Sequence, residues 1–438
     1  MRTLLIHSII VILVSACGTT IRDTSPQSRS EPTSAKSSTT AITSSALLKA
    51  PDWFEKGNAL SDLGRYQAAI ESFDKANALK PKPEAWYNRG IALNNLGRYQ
   101  AAIDSYDKAL AIKPDKPEAW YNRGIALNNL GRYQAAIDSY DKALAIKPDK
   151  HEAWYNRGIA LDDLGRYQAA IDSYDKALAI KPDKHEAWNN RGFALADLGR
   201  YQAAIENYDK ALAIKPDLHQ AWYNRGIALN NLGSSETAIE SYDKALAIKP
   251  DDHAVWTNRG VALENLGSYE TAIESYDKAL ALKPDNHYAW NNRGIALKNL
   301  GRYETAIESY DKALVIKPDN HYAWNNRGIA LADLGRYQTA IENYDKALVI
   351  KQDYYGAWYN RGIALKDLGR YEAAIENYDK ALAIKPDLHQ AWYNRGIALK
   401  NLGRYEAAIE NYDKALAINP DFELARNNRE VLQQLNKR

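Results

Sequence analysis

The chain has 438 residues with 57 Lys and Arg against 55 Asp and Glu, a formal net charge of +2. This balance provides no strongly basic footprint for nucleic acid, and the single cysteine leaves no internal disulfide. No GxxxxGK(S/T), HExxH or GxSxG motif occurs, so we predict no enzyme, no cofactor and no small-molecule substrate.

The first predicted element is a short apolar segment at the N-terminus. Arg2 precedes the mostly apolar residues 4–14, which are too few to span a bilayer as a helix but are typical of a secretory signal. Leu-Val-Ser-Ala-Cys at residues 13–17 resembles the bacterial lipobox. The resemblance implies that residues 1–16 are a lipoprotein signal peptide and that lipid, including palmitate, is attached to Cys17. An ordinary signal peptide with an incidental cysteine is the alternative.

Lipid on Cys17 predicts a location in the bacterial cell envelope, because several acyl chains hold a protein on a bilayer stably. Gly18 stands where an aspartate retains lipoproteins in the inner membrane, so the outer membrane is favoured over the inner membrane. Residues 17–49 are predicted to be a disordered tether. Fifteen Ser or Thr and no aromatic residue lie within residues 18–50, and such a composition cannot bury enough apolar surface to fold.

Tryptophan recurs every 34 residues from Trp86 to Trp392, which indicates one small unit copied and stacked. In residues 83–116 two apolar series at helical spacing are separated by Gly97, and Pro114 stops the second series. The unit is a helix, a tight turn, a second helix and a proline stop. With Pro83 as position 1, it has Trp at 4, Gly at 8 and 15, Tyr at 17 and 24, Ala at 20 and 27 and Pro at 32. This pattern resembles the tetratricopeptide repeat (TPR).

The resemblance implies an all-α fold, a right-handed α-solenoid or superhelix. Eleven repeats span residues 50–422 and start at residues 50, 83, 117, 151, 185, 219, 253, 287, 321, 355 and 389. Residues 423–438 are predicted to form a C-terminal capping helix, with Arg426 at the tryptophan position. Glycine is expected to permit close helix approach at position 8 and unusual turn angles at position 15.

In the TPR family the first helix of each repeat lines a concave groove, and the resemblance places positions 5 and 6 there. The predicted partner-binding residues are Tyr87, Asn88, Tyr121, Asn122, Tyr155, Asn156, Tyr223, Asn224, Tyr359, Asn360, Tyr393 and Asn394. Asparagine is a poor helix former, so its repetition suggests a role. Two interpretations stay open: hydrogen bonding inside the scaffold, or contact with a partner's backbone.

Two further repeated residue types suggest binding hypotheses. Position 7 is arginine from Arg89 to Arg395, interpreted either as paired with a carboxylate of the neighbouring repeat or as a groove charge for an acidic partner. Seven histidines stand at position 1. Stacked helices lie at least about 8–10 Å apart, too far for histidines of successive repeats to share a zinc ion. We therefore predict no metal site.

The predicted groove varies along the chain. Position 2 changes from glutamate in the early repeats to tyrosine at Tyr288 and Tyr322, and position 12 changes from Asn or Asp to Lys. Repeat 6 has Ser-Ser at 234–235 for the usual Arg-Tyr, and repeat 9 has Gln352 for the stop proline. We hypothesise altered curvature near the first break and a specificity patch at residues 352–356, with sequence drift as the alternative.

Together these features predict a membrane-tethered TPR scaffold that mediates protein–protein interactions in the cell envelope. Its groove would hold extended or helical segments of other proteins, and Cys17 would connect it to the membrane. The alternative is a lipoprotein that binds cell-wall glycan through tyrosine and asparagine side chains.

Overall fold

Each repeat is a pair of helices joined by a three-residue turn. The computed structural model describes residues 48–435, and over that range the regular structure is 23 α-helices. The predictions for the signal peptide, for Cys17 and for residues 17–47 of the tether lie outside the described residues. No helix of the described range is long and apolar enough to cross a bilayer.

The described residues divide into two compact units. The N-terminal unit, residues 48–248, contains α1 (Ala50–Asp62), α2 (Tyr66–Leu79), α3 (Pro83–Asn95), α4 (Tyr99–Ile112), α5 (Pro117–Asn129), α6 (Tyr133–Ile146), α7 (His151–Asp163), α8 (Tyr167–Ile180), α9 (His185–Asp197), α10 (Tyr201–Ile214), α11 (His219–Asn231) and α12 (Ser235–Ile248). The C-terminal unit, residues 249–435, contains α13 (His253–Asn265), α14 (Tyr269–Leu282), α15 (His287–Asn299), α16 (Tyr303–Ile316), α17 (His321–Asp333), α18 (Tyr337–Ile350), α19 (Tyr355–Asp367), α20 (Tyr371–Ile384), α21 (His389–Asn401), α22 (Tyr405–Ile418) and α23 (Glu423–Leu435).

The turn inside each repeat is a Schellman motif, which satisfies carbonyl groups at the end of the first helix. After α3, the Gly97 N–H donates to the Asn94 carbonyl at 3.0 Å and the Arg98 N–H donates to the Leu93 carbonyl at 2.9 Å. Gly97 has φ +72°, a conformation that glycine adopts without the steric penalty of a side chain. This confirms the predicted turn role of the position-15 glycines.

The glycine at position 8 permits the two helices of a repeat to pack closely. A Cβ on Gly90 would lie 2.5 Å from the ring of Tyr106 on the second helix, and that ring is fully buried. Alanines at the surrounding contact positions, such as Ala102 and Ala109, are also fully buried. The predicted close approach is therefore confirmed, and tyrosine fills the space that glycine leaves.

Successive repeats are joined through the tryptophan and arginine of the first helix. Trp120 Nε1 donates to the Pro114 carbonyl in the exit turn of the preceding repeat at 2.9 Å. Arg123 Nε donates to Asp107 Oδ1 of that repeat at 2.6 Å. The arginine also lies over the tryptophan ring, with 5.7 Å between its Cζ and the ring centroid. One face of the first helix thus fixes the neighbouring repeat.

Helix α23 makes, with the repeat before it, the contacts of a first helix. Arg426 Nη2 donates to the Pro420 carbonyl at 2.6 Å, which replaces the tryptophan contact. Asn428 Nδ2 donates to the Tyr393 hydroxyl at 3.0 Å, and Leu432 is fully buried. Its remaining surface is mostly polar and exposed, as a capping helix requires.

Candidate partner-binding groove

The predicted groove residues lie on the first helices, which contact each other along each unit, for example α3 with α5 and α17 with α19. Tyr87 on α3 accepts a hydrogen bond from Asn122 Nδ2 on α5 at 2.9 Å. The same bond joins Asn156 to Tyr121 at 2.8 Å. Asparagine and tyrosine therefore form a ladder of hydrogen bonds between successive first helices.

The ladder continues where tyrosine is replaced by asparagine at position 5. Asn360 Nδ2 donates to Asn325 Oδ1 at 3.0 Å, and Asn224 Nδ2 donates to Asn189 Oδ1 at 3.4 Å. In the last repeats, Asn394 Nδ2 donates to the Tyr359 hydroxyl at 3.0 Å. The repeated asparagine, a poor helix former, thus donates a hydrogen bond to the preceding first helix at most of the repeat interfaces within each unit, which supports the scaffold interpretation.

The tyrosines of this ladder are packed inside the repeats. Tyr121 and Tyr155 are 3% and 1% exposed and Tyr223 is also buried, whereas Tyr87, Tyr359 and Tyr393 are half-buried. The Tyr121 ring lies 6.0 Å from the ring of Tyr140, centroid to centroid. Side chains this deeply packed offer little surface, so their contact with a partner stays a prediction.

The neighbouring asparagines have a similar gradient of exposure. Asn122, Asn156 and Asn224 are buried, and Asn88, Asn360 and Asn394 are half-buried. Asn88 Nδ2 donates to Asn58 Oδ1 at 2.8 Å. Burial also raises the pKa of the Tyr87 hydroxyl, with the Glu118 charge as a second cause. The phenol therefore stays neutral and available as a hydrogen-bonding group.

The arginines at position 7 are paired inside the array. Arg157 Nε donates to Asp141 Oδ1 of the preceding repeat at 2.7 Å, and its Nη1 donates to Ser173 Oγ of its own repeat at 2.7 Å. Similar pairs recur up to Arg395 with Asp379 at 2.6 Å. The interpretation of a half-buried arginine held by the neighbouring repeat is confirmed, and it leaves no reason to assign these arginines to an acidic partner.

The position-1 histidines are half-buried, and each is the first residue of a first helix. Burial lowers the pKa of His151, His287, His321 and His389 below the usual histidine value. His287 packs on Tyr288, with 4.0 Å between ring centroids. Across the described residues, no three His, Cys, Asp or Glu side chains are grouped to hold a metal ion.

Position 12, where the sequence changes from Asn or Asp to Lys, contains charged residues that the structure buries. Asp162 on α7 is 7% exposed, Glu264 on α13 is 3% exposed and Lys298 on α15 is 8% exposed. Asp162 Oδ2 accepts from the Tyr174 hydroxyl at 2.5 Å, and Glu264 Oε2 accepts from the Tyr276 hydroxyl at 3.0 Å. The change of residue type at an otherwise amide position was the available signal, but only the fold shows the burial.

Burial shifts the pKa values of these three position-12 residues towards their neutral forms. It raises the pKa of Asp162 to about 8, partly offset by the Tyr174 hydrogen bond, and nearby Asp197 and Asp163 add to the rise. It raises the pKa of Glu264 to about 7, offset by Tyr276 and then by the charge of Lys298. It also lowers the pKa of Lys298 to about 8 against the opposing charges of Asp333 and Glu264.

Just before some first helices of the N-terminal unit begin, a lysine lies over the ring of the ladder tyrosine in the preceding repeat. The same lysine lies beside a glutamate of the helix that follows it. Lys150 Nζ lies 4.4 Å from the ring centroid of Tyr121 and 3.8 Å from Glu152 Oε2. Lys184 lies 4.3 Å from the Tyr155 centroid. Glu152 and Glu186 of position 2 thus lie beside lysine cations.

The predicted specificity patch at residues 352–356 belongs to an aromatic cluster in the C-terminal unit. Tyr354 is buried, and its ring lies 5.5 Å from Tyr322 and 5.2 Å from His321, both edge to face. Gln352 leaves the turn unchanged, because its carbonyl accepts from Trp358 Nε1 at 2.8 Å as proline does elsewhere. The patch is a real local difference, and its role in specificity stays a prediction.

The serine pair at the other break also preserves the turn. Ser234 N–H donates to the Leu229 carbonyl at 3.0 Å, the bond that arginine makes in other repeats. Ser235 Oγ donates to Asn230 Oδ1 at 3.1 Å. The altered curvature proposed for this break stays a prediction.

Comparison with known proteins agrees with the repeat geometry. A model of the tetratricopeptide repeat matches residues 54–117, 257–321 and 291–355, and a second matches residues 117–150, 151–184, 185–218, 219–252 and 389–422. A third model, of the TPR repeat, matches residues 362–403. Among curated proteins no match was found.

Several solved structures are similar to this chain. The APC/C hetero-tetramer Cut9–Hcn1 gives 16% identity, a TM-score of 0.48, and coverage of 88% of this chain and 96% of that chain. Yeast Tom70 gives 15% identity, a TM-score of 0.44, and coverage of 89% and 96%. YrrB, described as a TPR protein with an unusual peptide-binding site, gives 25% identity, a TM-score of 0.37, and coverage of 44% and 99%.

The family models together match well over half of the chain, and the helix pairs, turn glycines and capping helix match the predicted all-α solenoid. The chain belongs to the tetratricopeptide repeat family.

Proposed function

We propose that this protein is a membrane-tethered scaffold of the bacterial cell envelope that binds segments of other proteins along its first helices. The observation that carries this proposal is where the repeats differ. The second helix contains Tyr-Asp-Lys-Ala-Leu in ten repeats without change, whereas positions 2 and 12 of the first helix vary in charge and aromatic character. A scaffold whose structural residues are copied and whose first-helix side chains vary is suited to binding an extended, non-repetitive partner.

No catalytic role is proposed, because the buried Tyr, Asn and Arg side chains of the repeat are used in holding the scaffold together. The tether and anchor proposal rests on the lipobox-like sequence ending at Cys17. Cys17→Ser is expected to move the protein from the membrane fraction to the soluble fraction and to abolish incorporation of an alkyne-labelled fatty acid. Retention in the membrane with no label would contradict a lipid anchor.

The partner experiment uses the full-length protein, crosslinked in its own membranes and purified with whatever is attached. Alanine at the ladder tyrosines would be a poor probe, because Tyr121 and Tyr155 are core residues. Gln at Glu118, Glu152 and Glu186 instead changes half-buried side chains of the first helices. The matched control carries Gln at Glu71, Glu206 and Glu240, which are exposed on second helices.

A protein recovered with the wild type and the control but lost from the first-helix variant would support the proposal. Equal recovery with all three would contradict binding through the first helices of the N-terminal unit.

A second candidate, binding to cell-wall glycan, is favoured by the aromatic side chains of the C-terminal unit. Tyr288, Tyr322 and Tyr355 are half-buried at the starts of successive first helices, and partly exposed aromatic rings present an apolar face with a polar edge. This function predicts that the purified protein sediments with protein-free cell wall and that Tyr322→Ala weakens the binding. No sedimentation would exclude it.

A further inference from the structure

Asp162 is a buried carboxylate with incomplete hydrogen bonding. Its side chain is 7% exposed, and Oδ2 accepts from Tyr174 at 2.5 Å. Oδ1 has no hydrogen-bond partner. Buried polar atoms are almost always paired, and a buried carboxylate without a compensating charge is costly. An unpaired oxygen at this position is therefore a feature that requires an explanation.

The charges that act on Asp162 are all negative. On its own helix lies Asp163, and on α9 lies Asp197, which is exposed. Helix α8 contributes the hydroxyls of Tyr174 and of Tyr167, which bonds Asp197. Helix α10 contributes Tyr208, which is influenced by both Asp197 and Asp162. No lysine or arginine is among the groups that shift the pKa of Asp162 or Asp197.

The C-terminal unit contains the same kind of buried carboxylate together with a cation. Glu264 occupies the position of Asp162, and Lys298 occupies the same position one repeat later. The charge of Lys298 lowers the pKa of Glu264 against the rise caused by burial and in addition to the Tyr276 hydrogen bond. One repeat after Asp162, that position is Ala196. The N-terminal unit therefore has the buried carboxyl of Asp162, but alanine at the position that Lys298 occupies in the C-terminal unit.

We propose that Asp162, with Asp163 and Asp197, receives a lysine or arginine side chain of a partner segment lying along the first helices of the N-terminal unit. This assignment rests on the proposed partner-binding function and adds the chemistry of the partner, which is a basic peptide. A metal ion is not the ligand that the site fits, because the described residues contain no group of three His, Cys, Asp or Glu with ligand geometry.

Binding of a cationic side chain to Asp162 is coupled to loss of the proton from the Asp162 carboxyl. Burial raises the pKa of Asp162 to about 8, so below that pH the carboxyl is mostly neutral and must lose its proton to pair with a cation. A lysine ligand stays charged over this range. Affinity therefore decreases as pH falls below about 8, by up to about tenfold for each pH unit if one proton is released.

The test measures binding of a fluorescent extended peptide of alternating lysine and glycine to the purified full-length protein, by fluorescence anisotropy at several pH values. The comparison peptide has acetyl-lysine at every lysine. We expect the lysine peptide to bind, the acetylated peptide not to bind, and affinity to increase from pH 6 to pH 9. Asp162→Asn is expected to weaken binding at least about tenfold and to remove the pH dependence.

Ala196→Lys supplies the internal cation and is expected to block the lysine peptide as well. Its matched control is Ala332→Lys, the same substitution at the same repeat position in the C-terminal unit, which is expected to leave binding at Asp162 unchanged. Thermal unfolding of each variant shows whether the fold is retained. Wild-type affinity and pH dependence in Asp162→Asn, or equal binding of the acetylated peptide, would overturn the assignment.

Failure of this assignment differs from failure of the proposed function. If crosslinking recovers the same protein with wild type and with Ala196→Lys, the scaffold function stands and the partner does not use Asp162. If the lysine peptide binds as expected but no protein is ever recovered by crosslinking, the site for a basic side chain stands and the scaffold function fails.

Discussion

Asp162 in the N-terminal unit and Glu264 in the C-terminal unit occupy the same repeat position, each buried and each bonded to a tyrosine hydroxyl. They differ in the next repeat, where Asp162 is followed by Ala196 and Glu264 by Lys298. Desolvation acts on both carboxyls, but a cation offsets it only for Glu264. Two carboxyls at the same repeat position thus differ in pKa because nearby Asp197 and Asp163 raise the pKa of Asp162, whereas Lys298 lowers that of Glu264.

The two units also differ in the residue that stands just before a first helix. In the N-terminal unit Lys150 covers the Tyr121 ring and pairs with Glu152. In the C-terminal unit Tyr354 occupies the lysine position and packs against Tyr322. One unit presents charge and the other presents aromatic surface, although the tyrosine, glycine and arginine contacts of the scaffold are the same in both. The scaffold and the variable side chains can therefore be tested separately.

The largest expected effect on unfolding free energy is that of replacing the buried carboxyls of Asp162 and Glu264 by amides. The raised pKa of Asp162 stabilises the fold fully below the unfolded pKa near 3.8, and this stability is lost as pH rises through about 8. Asp162→Asn should therefore match wild type near pH 4 and exceed its unfolding free energy at pH 9 by up to about 6 kcal/mol, since each pKa unit corresponds to about 1.4 kcal/mol. Urea denaturation across this pH range measures the difference.

Glu264→Gln should gain less at high pH than Asp162→Asn, because its pKa rises only to about 7 and its removal also leaves Lys298 without that carboxylate. Asp149→Asn, at an exposed turn residue, is the control and should change nothing. An equal gain at both carboxyls would show that Lys298 does not compensate Glu264.

A somewhat smaller effect is expected where the two units are alike. Gly124→Ala would place a Cβ 2.4 Å from a ring carbon of Tyr140, and Gly294→Ala would place one 2.6 Å from a ring carbon of Tyr310. Overpacking of a buried core costs about 1–3 kcal/mol, so both variants should lose that much unfolding free energy in urea denaturation. Clearly unequal losses would show that the shared scaffold is less uniform than its geometry.

Removing a tyrosine hydroxyl from the hydrogen-bond ladder should lower the unfolding free energy by different amounts in the two units. Tyr121→Phe leaves the buried Asn156 amide without its 2.8 Å partner, and an unpaired buried donor costs about 1–3 kcal/mol. Tyr359→Phe should cost less, because Asn394 Nδ2 also donates to the Gln390 carbonyl at 3.1 Å. The control is Tyr405→Phe, where the side chain is 39% exposed. A reversed order in thermal or urea unfolding would contradict this account of the ladder.

The smallest effect is expected at the lysines that lie over tryptophan. Lys142 Nζ is 5.0 Å from the Trp120 ring centroid, and Lys380 Nζ is 4.2 Å from that of Trp358. Exposed cation–π contacts contribute about 0.5–1 kcal/mol. Lys380→Gln should therefore lower the unfolding free energy by about that amount and Lys142→Gln by less. No loss at Lys380 would remove this contact from the account of repeat stability.

Much of the scaffold could be predicted from the residues because its chemistry is local and periodic. Gly97 in its turn, Gly90 beneath a tyrosine and the proline stop each have a steric meaning that does not depend on distant residues. For the position-7 arginines the sequence left pairing and a groove charge open, and the structure shows the pairing. The partner of Arg123 is Asp107.

The sequence by itself therefore determined the repeat, its two helices, its turns and the family. It could not decide whether the asparagines hold the scaffold or a ligand, because that depends on which atoms of the preceding repeat face them. Only the tertiary structure placed Asn156 against Tyr121 and enclosed Asp162 beside Tyr174 without a cation. Burial and charge compensation are properties of the space between repeats, and that space is set by packing rather than by the residue at one position.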